Sequence, residues 1–235
     1  AVARDQHDVA GALAVAADRE IAEPRLEGDP ARVRVRTEVV GDRHAPAAVA
    51  PHPAWAHDDV ISLTTALWAC PVHELRVAAV ELLVRSARVL DVDDLVLLER
   101  LIRESRTWAL VDGLSSAVVG PVFIAHPEVG ETLDRWATDE DFWVRRAALL
   151  SLLVPLRQGG GDIERFFRYA DDLLADTEFF VRKAIGWVLR DTAKKRPDVV
   201  YEWLLPRAVR ASGVTVREAV KPLSEEQRAA ILAAR

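Results

Sequence analysis

Two tryptophans, one aspartate and several basic residues are spaced so that helical geometry would gather them on one surface. Trp108 and Asp112 are four residues apart, so on a helix they stack on the same face. Aromatic rings attract a cation by roughly 0.5–2 kcal/mol each, and a carboxylate adds electrostatic attraction. Arg146, Trp187 and Arg190 fall on the same predicted surface, where guanidinium groups suit a polyanion. The set fits a substrate that is cationic, or becomes so in its transition state, within an anionic polymer such as alkylated DNA.

This surface is predicted from a helical phrase that recurs along the chain. It reads HELRVAAVELLVR from His73, DFWVRRAALLSLL from Asp141 and EFFVRKAIGWVLR from Glu178. Within these phrases Arg145 and Arg182 are 37 residues apart. A helical period of this size is typical of HEAT-like repeats, in which equivalent positions line one face of a solenoid. The sequence therefore predicts an all-α, HEAT-like helical-repeat solenoid with a concave DNA-binding face.

The register also separates two sides of each repeat. At about 100° per residue, the apolar positions of the phrases form one buried stripe. The indoles, the aspartate and the cations fall on the opposite side. Three leucines of the second phrase project there as well: Leu149, Leu150 and Leu153.

Composition limits the remaining possibilities. With 235 residues, of which 50% are hydrophobic, the chain can bury one continuous core. We expect a cytoplasmic protein, associated with the nucleoid when bound to DNA, because no signal peptide is evident and no apolar run approaches the roughly 20 residues of a membrane span. The single cysteine, Cys70, fits a reducing compartment. The net charge is −6, but residues 1–134 carry −9 and residues 135–235 carry +3, which allows a basic surface on the second half.

The first part of the chain differs from the rest. Residues 1–59 are predicted to form a divergent N-terminal cap region, since prolines and glycines interrupt them and no aromatic residue precedes Trp55. Residues 60–235 are predicted to form the HEAT-like repeat domain, and the cap and this domain are expected to make one continuous domain over residues 1–235. One helix is predicted over residues 140–156. The histidines lack the close spacing of metal ligands, so no metal site is predicted.

Three segments resemble the AlkD-like DNA alkylation repair glycosylases, a family built from HEAT-like repeats. They are TWALVDGLSSAVVG from Thr107, DFWVRRAALLSLL from Asp141 and EFFVRKAIGWVLRDTAKKRPDVVYEWL from Glu178. The last segment is the most specific, and the resemblance covers about residues 60–221. It implies a monofunctional enzyme that hydrolyses the N-glycosidic bond of N3- or N7-alkylated purines in double-stranded DNA. It also implies that the base is not flipped out of the duplex and that no cofactor is needed.

The resemblance implies a role for each residue of the predicted surface. Asp112 matches the catalytic carboxylate, which would stabilise an oxocarbenium-like sugar and position a water. Trp108 and Trp187 match two indoles that pack against the deoxyribose of the lesion, and Arg146 matches the arginine beside them. Arg190 matches a contact to a backbone phosphate. Further DNA contacts are predicted for the basic residues Arg145, Lys183, Lys194 and Lys195.

Some features leave alternatives open. Residues 1–54 lack the aromatic residues with which the family usually holds the duplex, and residues 152–154 are apolar where it has a basic position. The lesion is then either a small alkyl group or a bulky natural-product adduct removed in self-resistance. A non-catalytic DNA-binding module and a protein-binding scaffold are the alternatives to an enzyme. We expect a monomer that does not bind membranes.

Overall fold

The computed structural model describes residues 55–235. Its α-helices are α1 His57–Ala69, α2 His73–Ser86, α3 Leu95–Ser105, α4 Trp108–Gly113, α5 Gly120–Ala125, α6 Val129–Trp136, α7 Phe142–Leu150, α8 Leu153–Arg157, α9 Ile163–Asp172, α10 Phe179–Ala193, α11 Pro197–Leu204, α12 Gly213–Ala219 and α13 Glu225–Ala233. A π-helical segment, Leu114–Val119, joins α4 to α5, and short 3-10 turns cover Ala87–Val89 and Leu205–Arg207. No strand occurs between residues 55 and 235, so the predicted all-α class is confirmed.

Side-chain hydrogen bonds join positions that lie one repeat apart. Trp136 Nε1 donates to Glu99 Oε2 at 2.7 Å, across 37 residues. Arg103 Nη1 donates to Asp139 Oδ1 at 2.9 Å, across 36 residues. Each repeat therefore contacts the next at equivalent positions, which confirms the predicted helical-repeat fold. Intervals of 35 or 36 residues separate further pairs: Trp68 and Glu104, Tyr169 and Asp134, Lys183 and Glu218, Arg207 and Asp171.

Polar side chains begin several of these helices. The Asp141 carboxylate accepts from the Trp143 amide at 2.9 Å and begins α7. Asp162 accepts from the Arg165 amide in the same way and begins α9. Ser224 forms a capping box at the start of α13. These caps pair amide groups that have no partner within the first helical turn.

The continuous helical stretch from Trp108 to Ala125, made of α4, the π-helical segment and α5, lies at the centre of the core. By length and composition alone this 18-residue stretch could cross a membrane, the one such stretch between residues 55 and 235. Many of its apolar side chains instead pack inside the protein, as in an internal helix, while Trp108 and Ile124 are more than half exposed. The fully buried ones are Leu110, Val111, Leu114, Val118, Val119 and Val122.

The helix predicted over residues 140–156 is two helices, α7 and α8. The chain turns at Ser151 and Leu152, and the Ser151 hydroxyl donates to the Ala147 carbonyl at 2.8 Å. Gly120 packs so closely on this turn that a Cβ on it would lie 2.8 Å from the Ser151 carbonyl oxygen. Helices pack around nearly the whole circumference of α7. For that reason the leucines that helical projection placed on the functional side are buried in the core: Leu149, Leu150 and Leu153.

Two parts of the chain, one near each end, could not be compared with a prediction from the sequence. Helix α12, only seven residues long and beginning at a glycine, had no sequence prediction. The predicted cap, residues 1–59, lies outside the described residues apart from residues 55–59. Its boundary with the repeat domain stays a prediction.

Candidate functional site

Asp112 and Arg146 form a two-bond ion pair between α4 and α7. Arg146 Nε donates to Asp112 Oδ1 and Nη2 donates to Oδ2, both at 2.8 Å. The remaining terminal nitrogen, Nη1, donates to the Phe180 carbonyl oxygen at 2.6 Å, at the start of α10. Arg146 is only 3% exposed. Its guanidinium therefore fixes the Asp112 carboxylate relative to three helices of successive repeats.

The Asp112 carboxylate lies at the edge of this buried region, with 16% of its side chain exposed. Burial raises the pKa of Asp112, and the hydrogen bonds and positive charge of Arg146 only partly oppose that effect. Each carboxylate oxygen keeps a lone pair beyond the one that Arg146 uses. The group can thus act on a positive charge or a water molecule that approaches from the open side.

Trp108 presents an exposed indole one helical turn before Asp112. Its side chain is 54% exposed, which is uncommon for so large an apolar group. The Thr107 side chain caps α4 by accepting from the Ala109 amide at 3.4 Å. The position of Trp108 at the very start of this helix leaves the indole free to contact a ligand. Trp108 and Asp112 therefore share one helical face, as their spacing predicts.

A stripe of aromatic and basic side chains runs along α10 from the residue that binds Arg146. It begins at Phe180 and continues at intervals of three and four residues, which place side chains on one helical face. Trp187 is partly buried on this stripe, and its Nε1 donates to Asp191 Oδ2 at 3.1 Å. The α10 stripe therefore extends from the Asp112–Arg146 pair through Lys183, Trp187, Arg190 and Lys194.

Three cations of this region converge on one buried carboxylate, Glu218 of α12. Lys183 Nζ donates to Glu218 Oε1 at 2.6 Å, Lys221 donates to Oε2 at 2.9 Å, and Arg190 also donates to Oε2. Burial raises the pKa of Glu218, but the cations outweigh it and lower the pKa to about 2. Gly186 makes this possible, since a Cβ there would lie 2.9 Å from the Glu218 Cβ.

An aromatic cluster supports the arginine of the ion pair. The rings of Phe142 and Trp143 are 4.5 Å apart, and those of Trp143 and Phe180 are 4.9 Å apart. The Arg146 guanidinium carbon lies 5.8 Å from the Phe180 ring. Phe179, which is half exposed, stacks edge-on against Phe180 at 5.4 Å. This cluster was not predicted from the sequence, although Phe-Trp and Phe-Phe stand at equivalent places in the second and third helical phrases.

Arg145, the neighbour of Arg146, points to a different place. Its Nε donates to Asp176 Oδ2 at 2.8 Å, and Nη1 donates to the carbonyl oxygens of Asp139 and Glu140 at 2.7 and 2.9 Å. The structure does not bring Arg145 to the Asp112–Arg146 pair, because adjacent helical residues point about 100° apart. Its predicted DNA contact stays a prediction.

The end of α10 contains the last predicted basic residues. Lys194 Nζ lies 2.8 Å from Asp191 Oδ1, and Lys195 is exposed in the turn that follows. Sequence reasoning missed both carboxylates that organise these cations, Asp191 and Glu218. A signal existed for Asp191, because Trp187 and Asp191 repeat the four-residue spacing of Trp108 and Asp112.

The family profile described as DNA alkylation repair enzyme matches residues 43–223. The chain belongs to this family. The matched range includes the Asp112–Arg146 pair, the α10 stripe and Glu218. The family is one of DNA alkylation repair, so membership in it implies that this chain binds DNA.

Solved structures agree with this fold. The chain is similar to a predicted DNA alkylation repair enzyme from Enterococcus faecalis, with 23% identity and a TM-score of 0.65 over 73% of this chain and 78% of that one. It is also similar to AlkD2 from Streptococcus mutans, with 21% identity and a TM-score of 0.59 over 73% and 84% of the two chains. At such identities the likeness is one of fold. No curated protein matches the chain significantly.

Between residues 55 and 235, no group of three or more His, Cys, Asp or Glu side chains is arranged to hold a metal ion. The acidic groups near Asp112 and along α10 are instead paired with arginine, lysine or indole N–H groups.

Proposed function

We propose that the chain is a monofunctional DNA glycosylase that hydrolyses the N-glycosidic bond of N3- or N7-alkylated purines in duplex DNA. The observation that carries the proposal is the Asp112 carboxylate, held by Arg146 at the edge of the core and one turn from an exposed indole. A carboxylate on a surface that binds polyanions opposes phosphate binding. It is useful there if positive charge develops beside it.

The proposed reaction begins with a purine that alkylation has made cationic. The bond between C1′ and the purine nitrogen breaks, and its electron pair leaves with the purine, which becomes neutral. The sugar becomes an oxocarbenium-like cation, which Asp112 stabilises electrostatically. A water oxygen then bonds to C1′ and releases a proton, leaving an abasic site. Stabilisation of about 4 kcal/mol would give roughly a thousandfold in rate.

Arg146 orients Asp112 in this scheme. Its two hydrogen bonds to Asp112 set the plane of the carboxylate. Its third hydrogen bond, to the Phe180 carbonyl oxygen, holds the guanidinium in place when the substrate binds. Preorganised charge is more effective than charge that must reorient during the reaction. The positive charge of Arg146 also favours the ionised form of Asp112, against the effect of burial.

The aromatic and basic side chains have separate proposed roles. Trp108 and Trp187 pack against the deoxyribose of the lesion without extruding the base. Arg190, Lys183, Lys194 and Lys195 contact backbone phosphates, which position the duplex without reading its sequence. The protein then needs no cofactor. Small alkyl groups and bulky natural-product adducts are both candidate lesions, the latter in self-resistance.

A non-catalytic DNA-binding module is the second candidate. The two hydrogen bonds between Arg146 and Asp112 favour it, because they join α4 to α7 and so give Asp112 a structural role that requires no catalysis. The two candidates differ in one measurable respect. The module binds duplexes without changing them, whereas the glycosylase releases a free purine and leaves an abasic site.

Base release from defined duplexes tests the proposal. Duplexes with one N7-methylguanine, one N3-methyladenine analogue or one bulky minor-groove adduct are incubated with the protein, and the freed base is measured by mass spectrometry. Enzyme-free duplexes correct for spontaneous depurination. Release by the wild-type protein above this background, from any of the three, supports a glycosylase. Binding without release from all three favours the non-catalytic module.

A further inference from the structure

A second Trp-x-x-x-Asp pair lies on α10, where Trp187 precedes Asp191 as Trp108 precedes Asp112 on α4. The environments of the two carboxylates differ. The Asp191 side chain is 2% exposed, against 16% for Asp112. Asp191 Oδ2 accepts a hydrogen bond from the Trp187 indole at 3.1 Å. The buried Asp191 carboxylate therefore binds the indole N–H of the tryptophan one turn before it on the same helix.

Arg157 offsets the burial of Asp191 from the preceding repeat. Its Nε donates to Asp191 Oδ2 at 2.8 Å, and its Nη2 lies 2.6 Å from the same oxygen, across 34 residues. An unpaired buried carboxylate would strongly destabilise the fold. The arginine comes from α8, which packs against α10. The oxygen that receives the Trp187 N–H is consequently fixed by a neighbouring helix.

Indole N–H groups meet carboxylates elsewhere in the described residues, but with a different geometry. Trp68 donates to Glu104 and Trp136 donates to Glu99, 36 and 37 residues away, so these bonds join successive repeats. The bond from Trp187 reaches only one turn along its own helix. It adds no link between repeats, since Arg157 already provides that link. What the bond does fix is the direction of the Trp187 ring.

We infer that Asp191 is a positioning residue that holds the Trp187 indole in the orientation in which it packs against the lesion's deoxyribose. This inference rests on the proposed function of Trp187. Asp191 itself does not touch the substrate, because its side chain is enclosed and Oδ2 already accepts from both Trp187 and Arg157. A tryptophan side chain has two rotatable bonds, and one hydrogen bond to its ring nitrogen restricts both.

A double-mutant cycle measures this coupling through the single-turnover rate of base release. Asp191→Ala removes the acceptor, and Trp187→Phe keeps an aromatic ring but removes the N–H donor. Each single change should slow release by about tenfold to a hundredfold, the scale of a misplaced contact. In the Trp187→Phe background, Asp191→Ala should add less than about twofold. Multiplicative effects would overturn the inference.

Further variants separate orientation from stability. Asp191→Asn keeps an acceptor of the same size and should recover part of the rate that Asp191→Ala loses. Asp171, which accepts two hydrogen bonds from Arg207 across 36 residues, supplies the matched control. Asp171→Ala should lower stability without a coupling to Trp187→Phe. If Asp191→Ala does not fold, Asp191→Asn replaces it in the cycle, because it weakens the acceptor by removing its charge and keeps its size.

A spectroscopic measurement makes the inference independent of catalysis. The indole N–H signal of Trp187 is identified in a ¹H–¹⁵N spectrum by its disappearance in Trp187→Phe. Asp191→Ala should shift this signal and speed its exchange with solvent, whereas Asp191→Asn should change it less. An unchanged signal in Asp191→Ala would refute the positioning role even in an active enzyme. If the wild type releases no base, the proposed function fails and this signal alone decides whether Asp191 orients Trp187.

Discussion

Arg146 donates two 2.8 Å hydrogen bonds to Asp112 from a helix 34 residues further along the chain. The pair joins two repeats and leaves one edge of the carboxylate open. A buried ion pair is weak support for stability by itself, because desolvation of both groups offsets much of the attraction. The location of the pair beside Trp108 and the α10 stripe supports the proposal that Arg146 orients the charged Asp112 carboxylate.

Asp112→Asn keeps the shape of the side chain and removes its charge. We expect base release from a stable N7-alkylated purine to slow by about two to four orders of magnitude, the scale of one electrostatic stabiliser. Duplex affinity should stay the same or rise, because one repulsion of phosphate is gone. Single-turnover release and fluorescence anisotropy measure the two quantities. Equal release rates for Asp112→Asn and wild type would remove Asp112 from the mechanism, and Asp171→Asn serves as the matched control.

Arg146→Met should shift the acid limb of the pH–rate profile. The charge of Arg146 opposes the increase that burial causes in the pKa of Asp112, so its loss should raise that pKa further. If the ionised carboxylate is the active form, activity should then be lost at a higher pH than in the wild type. Stability should fall by about 3–5 kcal/mol, since Asp112 is left without its partner. A profile that does not move while stability falls would give the pair a structural role only.

Arg190→Ala should weaken duplex binding whether or not a lesion is present. Each phosphate contact contributes about −0.9 to the slope of log affinity against log salt concentration. Removing one contact should therefore make the slope shallower by about that amount and leave lesion preference unchanged. Arg88, exposed in the 3-10 turn Ala87–Val89, is the control position. Affinity that does not respond to salt in the wild type would contradict DNA binding by this surface.

Glu218 should make the protein sensitive to acid. Its pKa is about 2 in the folded chain against 4.5 ordinarily, so the ionised form stabilises the fold. This contribution is complete above about pH 4.5 and is lost as the pH falls towards 2. Its size is roughly 1–3 kcal/mol, because Lys183 and Lys221 are partly exposed and screened.

The comparison of Glu218→Gln with the wild type isolates that contribution. Urea unfolding between pH 2.5 and 7 should show a smaller dependence on pH for the variant across the acid window. The exposed Glu226 of α13 provides the control, and Glu226→Gln should follow the wild-type curve. If the free energy of unfolding depends on pH equally in Glu218→Gln and in the wild type, the ionised Glu218 carboxylate does not stabilise the fold.

The sequence by itself determined the helical class, the repeat length and the face shared by Trp108 and Asp112. These depend on local patterns, since side chains three or four residues apart lie together on any helix. The repeat was visible because each unit contacts mainly its neighbours, so spacings close to that of Arg145 and Arg182 recur in the contacts of the folded chain. Helical projection placed Arg146 on the functional face, and the family resemblance matched Arg146, rather than Arg145, to the arginine beside the indoles.

The tertiary structure alone decided which charges meet. Adjacent arginines point about 100° apart, so Arg145 reaches Asp176 while Arg146 reaches Asp112. The break at Ser151 depends on the approach of Gly120, and the grouping of cations around Glu218 depends on the packing of α12 against α10. Such partners come from distant parts of the chain. Their choice follows from how helices pack, which no local periodicity specifies.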